Sequence, residues 1–275
     1  MKVAAIQMVS GIRLEANLAR AQALLVEAAR GGAELAVLPE YFCLLGQRDT
    51  DKLAIQESMG SGPIQTFLAD TARQLGLWIV GGTLPLSAPA GSDDGGRVFN
   101  STLVYSPQGE CVVRYDKIHL FRFDNGRERY DESRALLSGA QPVTFDIPSR
   151  DGRLWRVGLS VCYDLRFPEL YRAYARAGTD LLLVPSAFTH TTGQAHWEVL
   201  LRARAIENLA FVLAAAQGGL HENGRRTWGH SCLVDPWGQV LAEQAQEEAV
   251  VAGEFHPDRL DQCRLQLPAL EHRVL

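Results

Sequence analysis

The chain alternates short apolar runs with amphipathic stretches. Lys2 to Met8 holds the apolar run Val3 to Ile6 between Lys2 and Gln7, as a buried strand does. Leu14 to Arg30 follows with a helical period, and then come Leu35 to Leu38, Pro63 to Leu75 and Trp78 to Val80. In the first helical stretch Leu14, Leu18, Ala21, Leu25 and Ala28 share one face, while Arg13, Glu15, Arg20 and Glu27 lie away from it. That helix should cover a sheet on one side only. The alternation as a whole predicts an α/β protein.

Self-comparison narrows the architecture further. AARGGAELAVLPE, ending at Glu40, lies on AYARAGTDLLLVPS, ending at Ser186, with Ala29, Arg30, Gly32, Leu35 and Pro39 facing Ala175, Arg176, Gly178, Leu181 and Pro185. NSTLVYSPQG from Asn100 matches HSCLVDPWG from His230 with a one-residue gap, each reading as strand, Pro/Gly turn and returning strand. More weakly, KVAAIQM from Lys2 matches RVGLSVC from Arg156. The order is the same in both halves, so a pseudo-two-fold is expected. The strands are apolar at consecutive positions, which requires cover on both faces. Two mixed sheets packed face to face with helices outside give a four-layer α-β-β-α sandwich. No low-complexity linker separates the halves, so residues 1–275 read as one domain, with Gly91 to Gly96 as a surface loop.

Charge and composition mainly exclude. With 27 basic and 32 acidic residues the net charge is -5, and no basic run would follow a phosphate backbone, so no nucleic-acid partner is expected. No apolar stretch approaches the ~20 residues that span a bilayer, and Val3 to Ile6 is too short for a signal core. No membrane partner is expected, and the chain reads as soluble and cytoplasmic. Its five cysteines are scattered, without a C-x-x-C pair, which fits a reducing compartment and points to no metal site.

Chemistry gathers at three places. Cys162 follows the apolar run Arg156 to Val161 and precedes a helix expected to begin around Pro168, so it sits at a strand-to-helix elbow. Such an elbow projects a nucleophile above the sheet and aims free backbone N–H groups at a developing oxyanion. Cysteine is also a common core residue, the reading preferred for Cys43, Cys111, Cys232 and Cys263 as core or surface groups. Glu40 ends the strand Leu35 to Leu38 beside Tyr41 and Phe42. Apolar neighbours raise a carboxyl pKa and suit it to proton exchange; a solvated loop acid is the plainer alternative. Lys117 lies in YDKIHLF, where burial would demand an anionic partner such as Glu132, unless its head snorkels to water. His119 reads as structural, with no base or ligand partner nearby in sequence.

Together VLPEYF around Glu40, YDKIHLF around Lys117 and GLSVCYDLRFPEL around Cys162 resemble, in order and spacing, the three signatures of the nitrilase superfamily of carbon-nitrogen hydrolases. The resemblance runs from AAIQM to LPALEHR. It implies a Glu40-Lys117-Cys162 triad, a thioester intermediate, no metal or organic cofactor, a small-molecule amide substrate, and a homodimer or larger homo-oligomer. It further implies a second glutamate, which RYDESRALLSG places at Glu132. Within the superfamily the segment Pro185 to Glu207 is most similar to the Nit branch, nearest the deaminated-glutathione amidases and less close to the omega-amidases. Carried over from that branch, Arg166, Phe188 and Thr192 are expected to contact substrate; on the chemistry of the elbow and the buried ammonium, Lys117 with the Tyr163 N–H is expected to form the oxyanion hole. Arg166 also fits bidentate carboxylate recognition, against the alternative of an ion pair with Asp164 or Glu169. The charged loop Arg122 to Tyr130 should border the pocket. Two other classes compete: a Cys/His hydrolase pairing Cys162 with His190, His196 or His230, and a non-catalytic scaffold.

Overall fold

The computed structural model describes residues 1–89, 91–92 and 94–274. The first half runs β1 (Lys2–Gln7), α1 (Leu14–Arg30), β2 (Leu35–Val37), α2 (Pro63–Leu75), β3 (Trp78–Val80), β4 (Leu84–Ser87), β5 (Val98–Tyr105) and β6 (Cys111–Asp116). A small hairpin, β7 (Arg122–Asp124) and β8 (Arg129–Asp131), and the short β9 (Leu136–Leu137) follow. The second half runs β10 (Thr144–Pro148), β11 (Leu154–Leu159), α3 (Pro168–Arg176), β12 (Leu181–Leu183), α4 (His190–Asn208), β13 (Phe211–Ala214), β14 (Ser231–Val234) and β15 (Val240–Gln244). β16 (Ala249–Glu254) and α5 (Pro257–Gln266) complete it. The Gly91 to Gly96 patch connects β4 to β5, and Asp93 within it lies outside the described residues.

Strand order makes the internal repeat explicit. One sheet reads β16-β1-β2-β3-β5, with β6 on the far edge of β5; the other reads β10-β11-β12-β13-β14-β15. In each, an antiparallel edge strand flanks three parallel strands, and an antiparallel hairpin closes the other side. β10 immediately precedes its half of the repeat, whereas its counterpart β16 comes at the end of the chain and returns to pair with β1. The repeat is therefore closed across the two ends of the sequence, a feature that matching segments in order does not reveal.

Packing follows the strand pattern. Along β1, Val3 and Ala5 point into the layer between the sheets, where they join Leu35, Val37, Trp155, Val157 and Leu183. Ala4 and Ile6 point outward, against Ala21 and Leu25 of α1 and Ile64 and Leu68 of α2. Each fully buried side chain of this size adds roughly 1.5–3 kcal/mol, which is why these strands carry no polar alternation. Of the face expected for α1, Ala21, Leu25 and Ala28 are buried, with Leu14 and Leu18 packed at the margin. Across the molecule, a Cβ at Gly158 of β11 would come within 2.9 Å of the Tyr174 ring, so glycine there lets α3 lie close on the sheet. Helices α2 and α3 each begin with a proline at the first turn, where a missing N–H costs nothing. Among the described residues, no helix is long and apolar enough to cross a membrane.

Candidate active site

Three strand ends converge between the halves. Glu40 follows β2, Lys117 follows β6 and Cys162 follows β11. Gly82 makes the first approach possible. Its φ of +49° and a Cβ position only 2.1 Å from the Pro39 carbonyl oxygen leave room for no side chain against the turn that presents Glu40. Cys162 has a φ of +49°, a strained conformation for a non-glycine residue, and opens a single turn of 3-10 helix over Cys162–Arg166 before α3 begins at Pro168. The elbow anticipated from the sequence is present, with a turn more than expected between the cysteine and the helix.

The charged groups are almost fully withdrawn from water. Lys117 Nζ donates to Glu40 Oε1 at 2.8 Å and to Glu132 Oε2 and Oε1 at 2.8 and 3.0 Å, with side-chain exposures of 0% for Lys117, 1% for Glu40 and 14% for Glu132. The buried ammonium thus has two carboxylate partners, and the snorkelling alternative is excluded. Glu40 also accepts from Asn100 Nδ2 at 2.9 Å and from the Ala187 N–H at 3.0 Å. Glu132 accepts from the Tyr41 hydroxyl at 2.8 Å and the Phe121 N–H at 2.7 Å. The Tyr163 N–H, one residue past the thiol, donates to no acceptor among the described residues.

Electrostatics divide the two acids. Burial raises the Glu40 pKa, and the Glu132 charge adds to it against the opposing pull of Lys117. Burial would raise Glu132 as well, but Lys117 and then Lys52 outweigh it and hold the carboxyl below its ordinary range. Lys117 is pushed well above its usual value because its two carboxylates overcome desolvation. Burial and the negative charge of Glu40 raise the Cys162 thiol well above normal despite Lys117. The site therefore does not favour a preformed thiolate at rest.

Two recesses open from the sulfur. The smaller is lined by Cys162, Tyr163, Arg166, Phe188 and Thr192, so the three positions expected to contact substrate meet at the thiol. The larger is lined by Glu40, Tyr41, Lys52, Tyr130, Glu132 and Cys162, and by Arg225 and Arg226. Tyr130 belongs to the charged 122–130 segment, which borders the pocket as the hairpin β7–β8. Arg166 pairs with neither Asp164 nor Glu169. It stands 3.1 Å from His196 Nδ1, above the rings of Phe188 and Tyr163. Asp164 is fully buried and committed to Tyr115, the Val161 N–H and His119.

That last contact fits the structural reading of His119. Its Nδ1 lies 2.7 Å from Asp164 and its ring stacks on Phe167 at 3.6 Å, so the carboxylate partner that local sequence lacked arrives from 45 residues away. Neither do His190, His196 and His230 pair with Cys162. They contact Trp228, Arg166, and Trp228 with Glu243, respectively. Sequence reasoning also missed Lys52, Tyr41, Asn100, Arg225 and Arg226. Asn100 opens one of the repeated segments, and Arg225-Arg226 is a basic doublet in a turn, two signals that were available.

Comparison with known proteins decides the family. The carbon-nitrogen hydrolase model matches residues 2–265. The chain belongs to the carbon-nitrogen hydrolase family. Among similar proteins, the deaminated glutathione amidase of Synechocystis sp. is 40% identical over 273 residues, covering 98% of this chain and 97% of that one. Omega-amidase NIT2 of Danio rerio is 37% identical over 274 residues, covering 99% and 94%. The crystal structure of Saccharomyces cerevisiae Nit3, a member of branch 10 of the nitrilase superfamily, matches with a TM-score of 0.86 at 28% identity, covering 100% of this chain and 97% of that one. The four-layer sandwich and the superfamily resemblance are thereby borne out. Glu40 and Cys162 line the larger recess, the buried Lys117 ammonium bonds to Glu40, and Tyr163 lines the smaller recess with Cys162.

Proposed function

We propose that the protein is an amidase that hydrolyses a small carboxylate-bearing amide through a thioester on Cys162, with deaminated glutathione as substrate and 2-oxoglutarate and cysteinylglycine as products. The observation that carries the reading is the junction of the two recesses at Cys162, with Glu40 on one side and Arg166 on the other. Similarity to the Synechocystis deaminated glutathione amidase supports the choice of substrate.

In this scheme Glu40 accepts the thiol proton as sulfur attacks the amide carbon. The negative charge moves from Glu40 to the new oxyanion without leaving the neighbourhood of Lys117, which, with the Tyr163 N–H, holds it. Glu132 is a positioning residue: it keeps Lys117 charged and oriented, and its own charge keeps the Glu40 pKa raised. Protonated Glu40 then gives its proton to the departing amine. In the second half-reaction it takes one from water, which attacks the thioester carbon, and returns it to the Cys162 sulfur as the C–S bond breaks and the acid is freed. Arg166 binds the carboxylate of the acyl arm, between the walls formed by Phe188 and Thr192.

Omega-amidase action on 2-oxoglutaramate is the competing reading, supported by similarity to omega-amidase NIT2. The two substrates share the acyl arm and differ in the leaving group. Steady-state kinetics on purified protein with both compounds should give the higher kcat/KM for deaminated glutathione. A higher value for 2-oxoglutaramate reverses the choice, and hydrolysis of neither overturns the reading.

A further inference from the structure

The two recesses share Cys162, Phe121, Ala187 and Thr189, so a linear amide with its carbonyl at the sulfur must send one arm into each. Glu40 tells the arms apart. Its carboxylate lines the larger recess and not the smaller, and in the scheme above it is the group that protonates the leaving amine. The leaving amine therefore lies in the larger recess, and the acyl chain on the Arg166 side.

The larger recess carries charges that the chemical steps do not use. Lys52 sits with its ammonium 4.3 Å from the centre of the Tyr41 ring and has no carboxylate within ion-pair distance among the described residues. Arg225 is answered by Asp49 at 2.5 Å. Asp131 is engaged with Ser133 at 2.6 Å and with Arg134 at 3.9 Å. Glu40 and Glu132 share Lys117 and together leave one negative charge, which faces Lys52. Arg226 remains: its guanidinium forms no hydrogen bond or ion pair among the described residues, yet it lines the recess. The wall of the larger recess thus holds an unanswered cation, as that of the smaller one does in Arg166, which among the described residues contacts His196 and two aromatic rings.

We propose that Arg226, flanked by Lys52 and Arg225, binds an anionic group on the leaving amine, a carboxylate in the substrate class assigned above. The enzyme then selects linear amides that carry an anion on each side of the scissile bond. This rests on the amidase reading and on Glu40 as the proton donor to the amine. It supplies what the pocket's size alone does not, a reason to prefer a carboxylate-terminated amine over ammonia as leaving group.

The test compares deaminated glutathione with its C-terminal carboxamide, which has the same shape and lacks only the leaving-arm charge. Wild-type enzyme should favour the carboxylate in kcat/KM by about tenfold or more, the size of a charge-assisted contact. In Arg226→Gln this ratio should fall close to one, and in Arg226→Glu it should invert. A ratio is unaffected by loss of folded protein, so a merely structural role for Arg226 would leave it unchanged. A wild-type ratio near one, or a ratio that survives both substitutions, overturns the proposal. Calorimetric binding of the same two compounds to Cys162→Ala protein decides it without turnover: about tenfold tighter binding of the carboxylate, lost in the Arg226→Gln double variant, supports the site, and equal affinities overturn it. If neither compound is hydrolysed yet the binding preference holds, the amidase substrate reading fails and the anion site stands.

Discussion

Replacing Glu40 by Gln tests the division of labour most directly. The substitution changes one oxygen to an amide nitrogen in a site where both oxygens already accept hydrogen bonds. Glu40 accepts from Lys117 and Asn100 on one oxygen and from the Ala187 N–H on the other. In either orientation a glutamine places its NH2 against a donor, a mismatch worth about 1–3 kcal/mol of stability. Lys117 keeps Glu132, so the ammonium is not stranded and the fold should survive. Activity should suffer far more. A positioned acid-base group contributes about 10²–10⁴-fold, roughly 3–5 kcal/mol of barrier, and here one group serves both half-reactions.

Three measurements separate this from general damage. Circular dichroism and thermal melting check that the variant is folded, and steady-state kinetics on the amide should show kcat reduced at least a hundredfold. An activated ester of the same acid, whose leaving group needs no proton, should show a smaller deficit. The pH profile gives the third. The base must be ionised to accept the thiol proton, so wild-type kcat/KM falls as pH drops through the raised Glu40 pKa, placing the acid limb above the ordinary carboxyl value of 4.5. In Glu40→Gln that limb should vanish. A folded Glu40→Gln enzyme that keeps more than a tenth of wild-type kcat on the amide refutes the scheme.

Glu132 should reveal itself in stability as well as rate. Its pKa is lowered on folding, so its contribution is fully present above the unfolded value near 4.5 and is lost as pH falls through the folded value. Urea denaturation should therefore show Glu132→Gln less stable by about 3 kcal/mol at pH 7, with the gap closing only below pH 4.5; a gap constant down to pH 3 would contradict the assignment. Asp164→Asn removes one carboxylate from Tyr115, the Val161 N–H and His119, and should cost about 2–4 kcal/mol while lowering kcat by loosening the elbow, both read on one preparation. Gly82→Ala, which drives a methyl onto the Pro39 carbonyl, should destabilise the fold by about 3 kcal/mol in thermal melts. Iodoacetamide should label Cys162, which lines both recesses, and the exposed Cys111 in peptide mass maps, sparing Cys43, Cys232 and Cys263, which are buried and line neither recess. Inactivation should follow the Cys162 adduct alone, which Cys111→Ser verifies.

What could be read in advance and what could not divide along a physical line. α2 and β3 fall where the sequence places them because proline, glycine and hydrophobic period act over a few residues. Cys162 was legible for the same reason, since the elbow is local. Lys52 was not. It sits in the polar turn Asp51–Ile55, indistinguishable in sequence from a solvated loop, and gains its meaning only because Tyr41 and Glu132 lie beneath it. The partner of His119 was hidden because its carboxylate comes from the elbow, and the alternative ion pair of Arg166 with Asp164 fails because that carboxylate is consumed in the interior. Local patterns report elements; partner choice among buried charges is set by tertiary geometry.

The repeat carries this one step further. Glu40 ends β2 and its counterpart Ser186 follows β12, while Cys162 follows β11 and its counterpart Met8 follows β1. A strict two-fold would bring like residues together, two acids or two thiols, and neither pair can exchange a proton between a nucleophile and its base. Here each half supplies a different member. The strand ends nonetheless interlock as symmetry demands: the Ala187 N–H donates to Glu40, and the Cys162 N–H donates to the Pro185 carbonyl in the turn that presents Ala187. That chain of two hydrogen bonds ties the base to the backbone of the nucleophile. A change that moves the Pro185–Ala187 turn should therefore disturb Glu40 and Cys162 together, although it touches neither side chain's chemistry.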